Sequence, residues 1–153
     1  MATDNKALAR RLYEELWNQQ RLETADELLS PDYVSHDPQS PTALKGLEGY
    51  KQAVRYYLNA FPDIQFTIED QICERDTVVT RWTSTATHKG DLAGIPATGR
   101  RISNTGIICH RVKDGKFVES WSNWDVLGMM QQLGAAPSQA SDKPVLKASQ
   151  AQK

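Results

Sequence analysis

Apolar residues recur with a helical period over the first third of the chain. Leu8, Leu12, Leu16 and Trp17 follow at spacings of four and five and predict a helix from about Asn5 to Gln19. Thr24 and Glu27 have the spacing of a capping box for a short second helix, whose Leu28 and Leu29 point inward and which Ser30-Pro31 ends. A third helix is expected from about Leu47 to Asn59, with Leu47, Tyr50, Val54, Tyr57, Leu58 and Phe61 on one stripe and Pro62 at its exit. Beyond Pro62 the period drops to two. Ile64, Phe66 and Ile68 alternate with polar residues and begin a half-buried strand. Thr77 to Ala86, Arg101 to Val112 and Phe117 to Trp124 read as further strands, with tight connections at Arg75-Asp76 and Lys113-Asp114-Gly115-Lys116. Gly90 to Gly99, with three glycines and Pro96, is a loop. Asp125 is placed to cap a last helix, Val126 to Leu133, and Gly134 to end it.

Helices first and hairpin-linked strands afterwards argue for an α+β domain, with helices packed on one face of an antiparallel sheet. Residues 1–134 form one domain on this reading. The tail from Ala135 to Lys153, rich in Ala, Ser, Gln and Lys without apolar period, is expected to be disordered. No alternation of strand and helix suggests a dinucleotide fold, and neither GxGxxG nor a P-loop is present. The 153 residues carry 18 Lys+Arg against 19 Asp+Glu, a formal net charge of −1. That balance gives no basic field for nucleic acid or an anionic membrane. No apolar run reaches the length of a membrane span, and the first residues lack the apolar stretch of a secretory signal. Cys73 and Cys109 lack CxxC spacing and suggest neither a disulfide scaffold nor a zinc site; they read as small buried residues. A cytoplasmic location is expected.

Three segments form a specific ordered set: His88-Lys-Gly-Asp-Leu-Ala-Gly-Ile-Pro-Ala-Thr-Gly-Arg, Lys113-Asp-Gly-Lys-Phe-Val-Glu, and Asn123-Trp-Asp-Val-Leu-Gly-Met-Met-Gln-Gln-Leu-Gly. With Ala60-Phe-Pro-Asp, and over nearly all of Leu8 to Gly134, the chain resembles the SnoaL-like polyketide (ester) cyclases of the superfamily named for nuclear transport factor two. The resemblance implies a cone: a strongly curved antiparallel sheet wrapped by three N-terminal helices, with a short C-terminal helix. It also implies an apolar pocket, a homodimer, and neither metal nor organic cofactor. The family's chemistry is an intramolecular aldol closure in which a pocket aspartate takes an activated proton. Alignment without gaps from His88 puts that aspartate at Ser122, its histidine partner at Ile108 and a supporting glutamine at Gly106. A serine hydroxyl is no general base at neutral pH, so the fold carries over more directly than the reaction.

Candidate chemistry is therefore sought elsewhere. His110 shares the parity of Gly106 and Ile108 and is expected to face the pocket as acid or base. Two registers of the Asp114-Gly115 hairpin are open. A two-residue turn pairs His110 with Glu119 and sends Ser122 to the opposite face; a three-residue loop pairs it with Val118 and keeps Ser122 on its own face. The resemblance requires the second, which is the expectation. His36, in Tyr33-Val-Ser-His-Asp-Pro, is expected in a loop near the pocket mouth as a second catalytic candidate. His88 is read as fixing the glycine-rich loop, Asp125 as a cap, Asp63 as a turn residue and Trp17 as core packing. Ligand contacts are expected from Tyr57, Phe61, Trp82, Ile108, Ser122 and Trp124, with the tryptophans as flat walls for a planar ligand.

Two functions fit these residues. One is an enzyme acting on an apolar oxygenated small molecule without cofactor, as an aldol cyclase, isomerase or hydrolase, with His110 and His36 as acid and base and Ser122 donating a hydrogen bond. The other is a binding module that kept the cone and lost the aspartate. A third, a dimeric scaffold with a filled cone, requires that no ligand-sized cavity exist. All of them expect a hollow poor in carboxylates.

Overall fold

The computed structural model describes residues 4–137. The tail expected to be disordered lies, beyond residue 137, outside the described residues. Asp4 caps the first helix, α1 (Asn5–Arg11), by accepting from the Lys6 and Ala7 amides. The single helix expected to about Gln19 changes character part-way: Leu12–Asn18 is π-helical, and its last turn closes with a Gln19 amide bond back to the Glu14 carbonyl. The widened turn lets Leu12, Tyr13, Leu16 and Trp17 all face inward, some to the core and some to a hollow. The short α2 (Thr24–Leu28) is present, but Thr24 lies inside its first turn and no side chain caps it, so the expected capping box does not form. α3 spans Leu47–Ala60 and α4 Val126–Gln132, the latter capped by Asp125 through the Gly128 amide.

Six strands form one curved sheet. They are β1 (Leu29–His36), β2 (Leu44–Lys45), β3 (Gln65–Glu74), β4 (Thr77–Thr87), β5 (Arg101–Lys113) and β6 (Lys116–Trp124), in the order β2-β1-β6-β5-β4-β3. β3 to β6 are consecutive antiparallel hairpins, as their period-two patterning predicts. The sheet is nevertheless mixed, not purely antiparallel. β1, where a helix end and a loop are expected, runs parallel to β6. Pro31, which donates no hydrogen bond, is tolerated because the pairing shifts register between Leu29 and Val34.

The β5–β6 hairpin corrects the expected three-residue loop. Lys113 pairs with Lys116 across Asp114 and Gly115, both at positive φ (53° and 74°), a two-residue turn of the kind that follows the sheet twist. A bulge then follows. Val112 pairs with Phe117 but Arg111 with Glu119, which leaves Val118 unpaired. That extra residue restores the parity the turn alone would lose. His110 pairs with Ser120, Ile108 with Ser122 and Gly106 with Trp124, so Ser122 lies on the face of His110 after all.

The helices cover the concave face. One buried cluster joins α1, α2 and α3 to Tyr33, Val78, Val112 and Phe117; a second joins Ala60, Phe61 and Ile64 to Ala86, Ile102, Met129 and Leu133. Between the clusters the interior is open.

Candidate functional site

The opening is a cavity of about 490 Å³, which falls in the range of small-molecule pockets and rules out the filled scaffold. Its walls come from every layer: Leu12, Tyr13 and Trp17 from the π-helical turn, Tyr50, Val54 and Tyr57 from α3, Phe66 from β3, and alternate residues of β1, β4, β5 and β6. Tyr57, Phe61, Trp82, Ile108, Ser122 and Trp124 all border it. Trp17, expected as plain core, borders it as well. The aromatic lining is interlocked. Phe66 packs edge-on to Trp82 (4.9 Å) and tilted against Trp17 (5.3 Å) and Tyr13 (5.6 Å), while Tyr57 stands edge-on to Trp124 (6.1 Å). Gly106 shares this face without lining the hollow. A Cβ there would overlap the Trp82 indole and lie 2.9 Å from the Trp124 Cβ, so the missing side chain is what lets both tryptophans close over the strand.

Neither catalytic histidine candidate reaches the cavity. His110 has the expected parity but is fully buried against Phe117 (4.4 Å between rings), and neither ring nitrogen has a hydrogen-bond partner. Burial pushes its pKa down to about 3, so the ring is neutral through the physiological range and has no route to a ligand. His36 is on the opposite face. β1 alternates, and Tyr33 and Ser35 point in while Val34 and His36 point out. There His36 stacks on Trp121 (5.4 Å between rings, 9° apart) and meets Glu119 at 2.8 Å; Arg111 also approaches Glu119 and lies 5.0 Å above the Trp121 ring. His88 holds the loop, its Nδ1 accepting the Thr98 amide at 3.2 Å. Asp63 takes the Thr87 amide and hydroxyl, each at 2.7 Å, and those bonds hold its carboxyl below the usual range against the opposing effect of burial.

The residue missed by sequence reasoning is Asp37. It is the one charged side chain lining the cavity among the described residues, so the hollow is not free of carboxylates. Its Oδ2 accepts the Trp124 indole N–H at 3.0 Å and its Oδ1 the Gln39 amide at 2.8 Å, so two donors fix its orientation. Gln39 is held in turn by the Tyr57 hydroxyl at 2.7 Å. Burial raises the Tyr57 phenol, and the charge of Asp37 raises it further, so the phenol stays a donor. The signal was parity. Asp37 continues the inward series Tyr33, Ser35, whereas the conspicuous neighbour His36 does not. Asp37 follows the last paired residue of β1, where His36 pairs with Trp121, and it borders the same hollow as Ser122.

With this geometry in place, comparison with known proteins decides the lineage. The family model for SnoaL-like polyketide cyclases matches residues 7–133. The chain belongs to the SnoaL-like polyketide cyclase family. Aklanonic acid methyl ester cyclase DnrD of Streptomyces peucetius is 34% identical over 110 residues, 71% of this chain and 72% of that protein. Nogalonic acid methyl ester cyclase of Streptomyces nogalater is 29% identical over 120 residues, 77% and 89% of the two chains. Among solved structures, TsrD from Streptomyces laurentii superposes with a TM-score of 0.78 at 30% identity, covering 89% of this chain and 100% of its own. In this SnoaL-like chain no helix is long and apolar enough to cross a membrane, and no group of three or more His, Cys, Asp or Glu is placed to hold a metal, in each case among the described residues.

Proposed function

We propose that this SnoaL-like chain carries out cofactor-free proton transfer on a neutral, apolar, oxygenated small molecule, with Asp37 as the group that takes and returns the proton. The observation that carries the reading is the anchored carboxylate in the cavity wall, which borders the same hollow as Ser122, the position where the family resemblance calls for an aspartate. A general base must be within reach of the ligand and held in orientation; in support, Asp37 borders the hollow and two donors fix its carboxylate. The rest of the lining has no Lys, Arg or His among the described residues, so nothing there pairs with a ligand anion. A neutral ester or ketone of an aromatic skeleton suits an interior walled by Trp82, Trp124, Phe66 and Tyr57. Ser122 donates a hydrogen bond and does not act as base. The relatives named as ester cyclases make an aromatic polyketide methyl ester the first substrate to try.

The test is an exchange. Asp37→Asn is expected to lower turnover of such an ester by about 10²–10⁴, the usual share of one acid–base group. Moving the carboxylate one strand over, with Asp37→Ser and Ser122→Asp together, is expected to recover part of it. Unchanged turnover in Asp37→Asn removes Asp37 from the mechanism. The second reading, a binding module without turnover, is favoured by Ser122 alone; tight binding by the parent with turnover gained only in Ser122→Asp selects it.

The protein is also read as a cytoplasmic homodimer. Ile72, Val79, Cys109, Trp121 and His36 follow one another across five strands on the convex face, a row that a second copy can cover. Trp121→Glu is then expected to sediment as a monomer, and a parent that is itself monomeric at micromolar concentration refutes the dimer.

A further inference from the structure

Ser84 on β4 and Asn104 on β5 stand directly opposite each other, which puts both side chains on one face with Cβ atoms about 5 Å apart. That face is the concave one. Both residues border the hollow, although each is only 7% exposed. Their neighbours on the same face are apolar. Phe66 stands opposite Ser84 on β3, and Trp82 on one side and Ala86 and Ile102 on the other continue the wall along the strands. A polar pair is thus set into an otherwise apolar surface. Asp37 follows β1, and β6 lies between β1 and β5, so the pair stands across the sheet from the carboxylate.

The orientation of Asn104 is fixed by its own strand. Opposite Gly106 β6 reaches its last residue, Trp124, and the chain turns into α4. Beyond that end the Thr105 amide donates to Asn104 Oδ1 at 2.8 Å. A backbone N–H bonds to the oxygen of a side-chain amide and not to its nitrogen, so Nδ2 is the end turned away. Among the described residues nothing accepts from Nδ2, and the Ser84 hydroxyl has no partner either. Neither atom is sealed, in contrast to the two ring nitrogens of His110. Both groups therefore keep their hydrogen-bonding capacity for something inside the hollow. Nδ2 only donates, so it requires an acceptor, and a carbonyl oxygen with two lone pairs takes Nδ2 and the Ser84 hydroxyl together.

We propose that Ser84 and Asn104 form a subsite for a carbonyl oxygen carried on the ligand's ring skeleton, separate from the group that reacts at Asp37. The proposal rests on the reading of the cavity as a site for a neutral, apolar, oxygenated molecule, and says where a second oxygen of that molecule lies. The subsite acts by selection. A ligand that presents only carbon there expels water from both donors and leaves them unpaired, a heavier loss than a missing contact. The substrate class is accordingly a planar ketone or ester with a further carbonyl remote from the reacting one.

The test compares 2-acetylnaphthalene with 2-isopropenylnaphthalene, which has the same outline with a CH2 group in place of the carbonyl oxygen. Affinities for the full chain are read by quenching of tryptophan fluorescence. Ser84→Ala removes one donor. Asn104→Asp keeps an oxygen for the Thr105 amide and turns an acceptor toward the hollow in place of the donor. Each is expected to lower the ratio of ketone to alkene affinity about tenfold relative to the parent. In Ser84→Ala the affinity for the alkene is expected to change by about twofold or less, which reports an intact cavity. A merely structural role would weaken both ligands together. An unchanged ratio in Ser84→Ala overturns the proposal, whether or not Asn104→Asp folds, and so does equal weakening of the two ligands. Failure of the parent to bind the ketone also overturns it, and failure to bind either compound overturns the ligand-cavity reading as well. Turnover plays no part in this measurement. A shifted ratio with full turnover in Asp37→Asn removes only the base, and an unchanged ratio with turnover lost in that variant removes only the subsite.

Discussion

His110 makes the stability of the fold depend on pH in a way that can be worked out from its surroundings. Its ring is fully buried against Phe117, has no partner for either nitrogen, and has its pKa pushed down to about 3. In the unfolded chain the same ring titrates at about 6.5. Below that value the unfolded chain takes up a proton that the folded one refuses, so stability falls as pH falls and continues to fall toward pH 3. The slope approaches about 1.4 kcal/mol per pH unit, and from pH 7 to pH 5 the loss is about 2 kcal/mol. Domains of this kind have only about 5–15 kcal/mol to lose. Other groups titrate over the same range, so the quantity to measure is a difference. Urea unfolding of the parent and of His110→Leu at pH 7 and pH 5 isolates it. The parent is expected to lose about 2 kcal/mol more than the variant between the two pH values. At pH 7 the variant should be as stable as the parent or more so, because two unpartnered buried nitrogens are gone. Equal losses in the two proteins would refute the reasoning and mean that the ring is hydrated or bonded in solution.

Two further substitutions probe how the cavity is held. Gly106→Ala drives a methyl group into the Trp82 indole, with the Trp124 Cβ 2.9 Å away, and is expected to cost about 1–3 kcal/mol in thermal unfolding together with ligand affinity; an unchanged melting temperature refutes the tight closure. Asn18→Ala removes a side chain that mimics a neighbouring strand, accepting the Phe66 amide at 2.7 Å and donating to the Phe66 carbonyl at 2.9 Å. A loss of about 1–3 kcal/mol is expected, with faster hydrogen exchange at the Phe66 amide; exchange as slow as in the parent counts against the pairing.

Much of the frame was legible in the sequence because local signals and tertiary outcome agreed. The α3 stripe, the alternation of β3 to β6, and the Asp125 and Gly134 helix ends all follow from period and punctuation. β1 was not legible. Ser30-Pro31-Asp32 carries strong turn chemistry, and only the sheet edge and a register shift make it a strand. The bulge at Val118 had no local mark either. Asp-Gly correctly announces a two-residue turn, yet the parity of Ser122 is set by the residue skipped beyond it. The misplacement of His36 and the neglect of Asp37 follow directly from the missed strand, because on a loop the two are equivalent and on a strand they face opposite sides. His110 failed for another reason. Parity tells which face a residue occupies, not whether Phe117 covers it.

Solvation accounts for where the one charged group of the lining stands. Asp37 is half-buried and its carboxylate accepts from the amide of the exposed Gln39, so its charge keeps contact with water. The fully buried polar side chains of the lining include the neutral phenols Tyr13 and Tyr33. Sealing a carboxylate at depth costs several kcal/mol, whereas a phenol with a partner costs little. A carboxylate just past the end of β1, and not further inside, therefore keeps its desolvation small while still bordering the hollow.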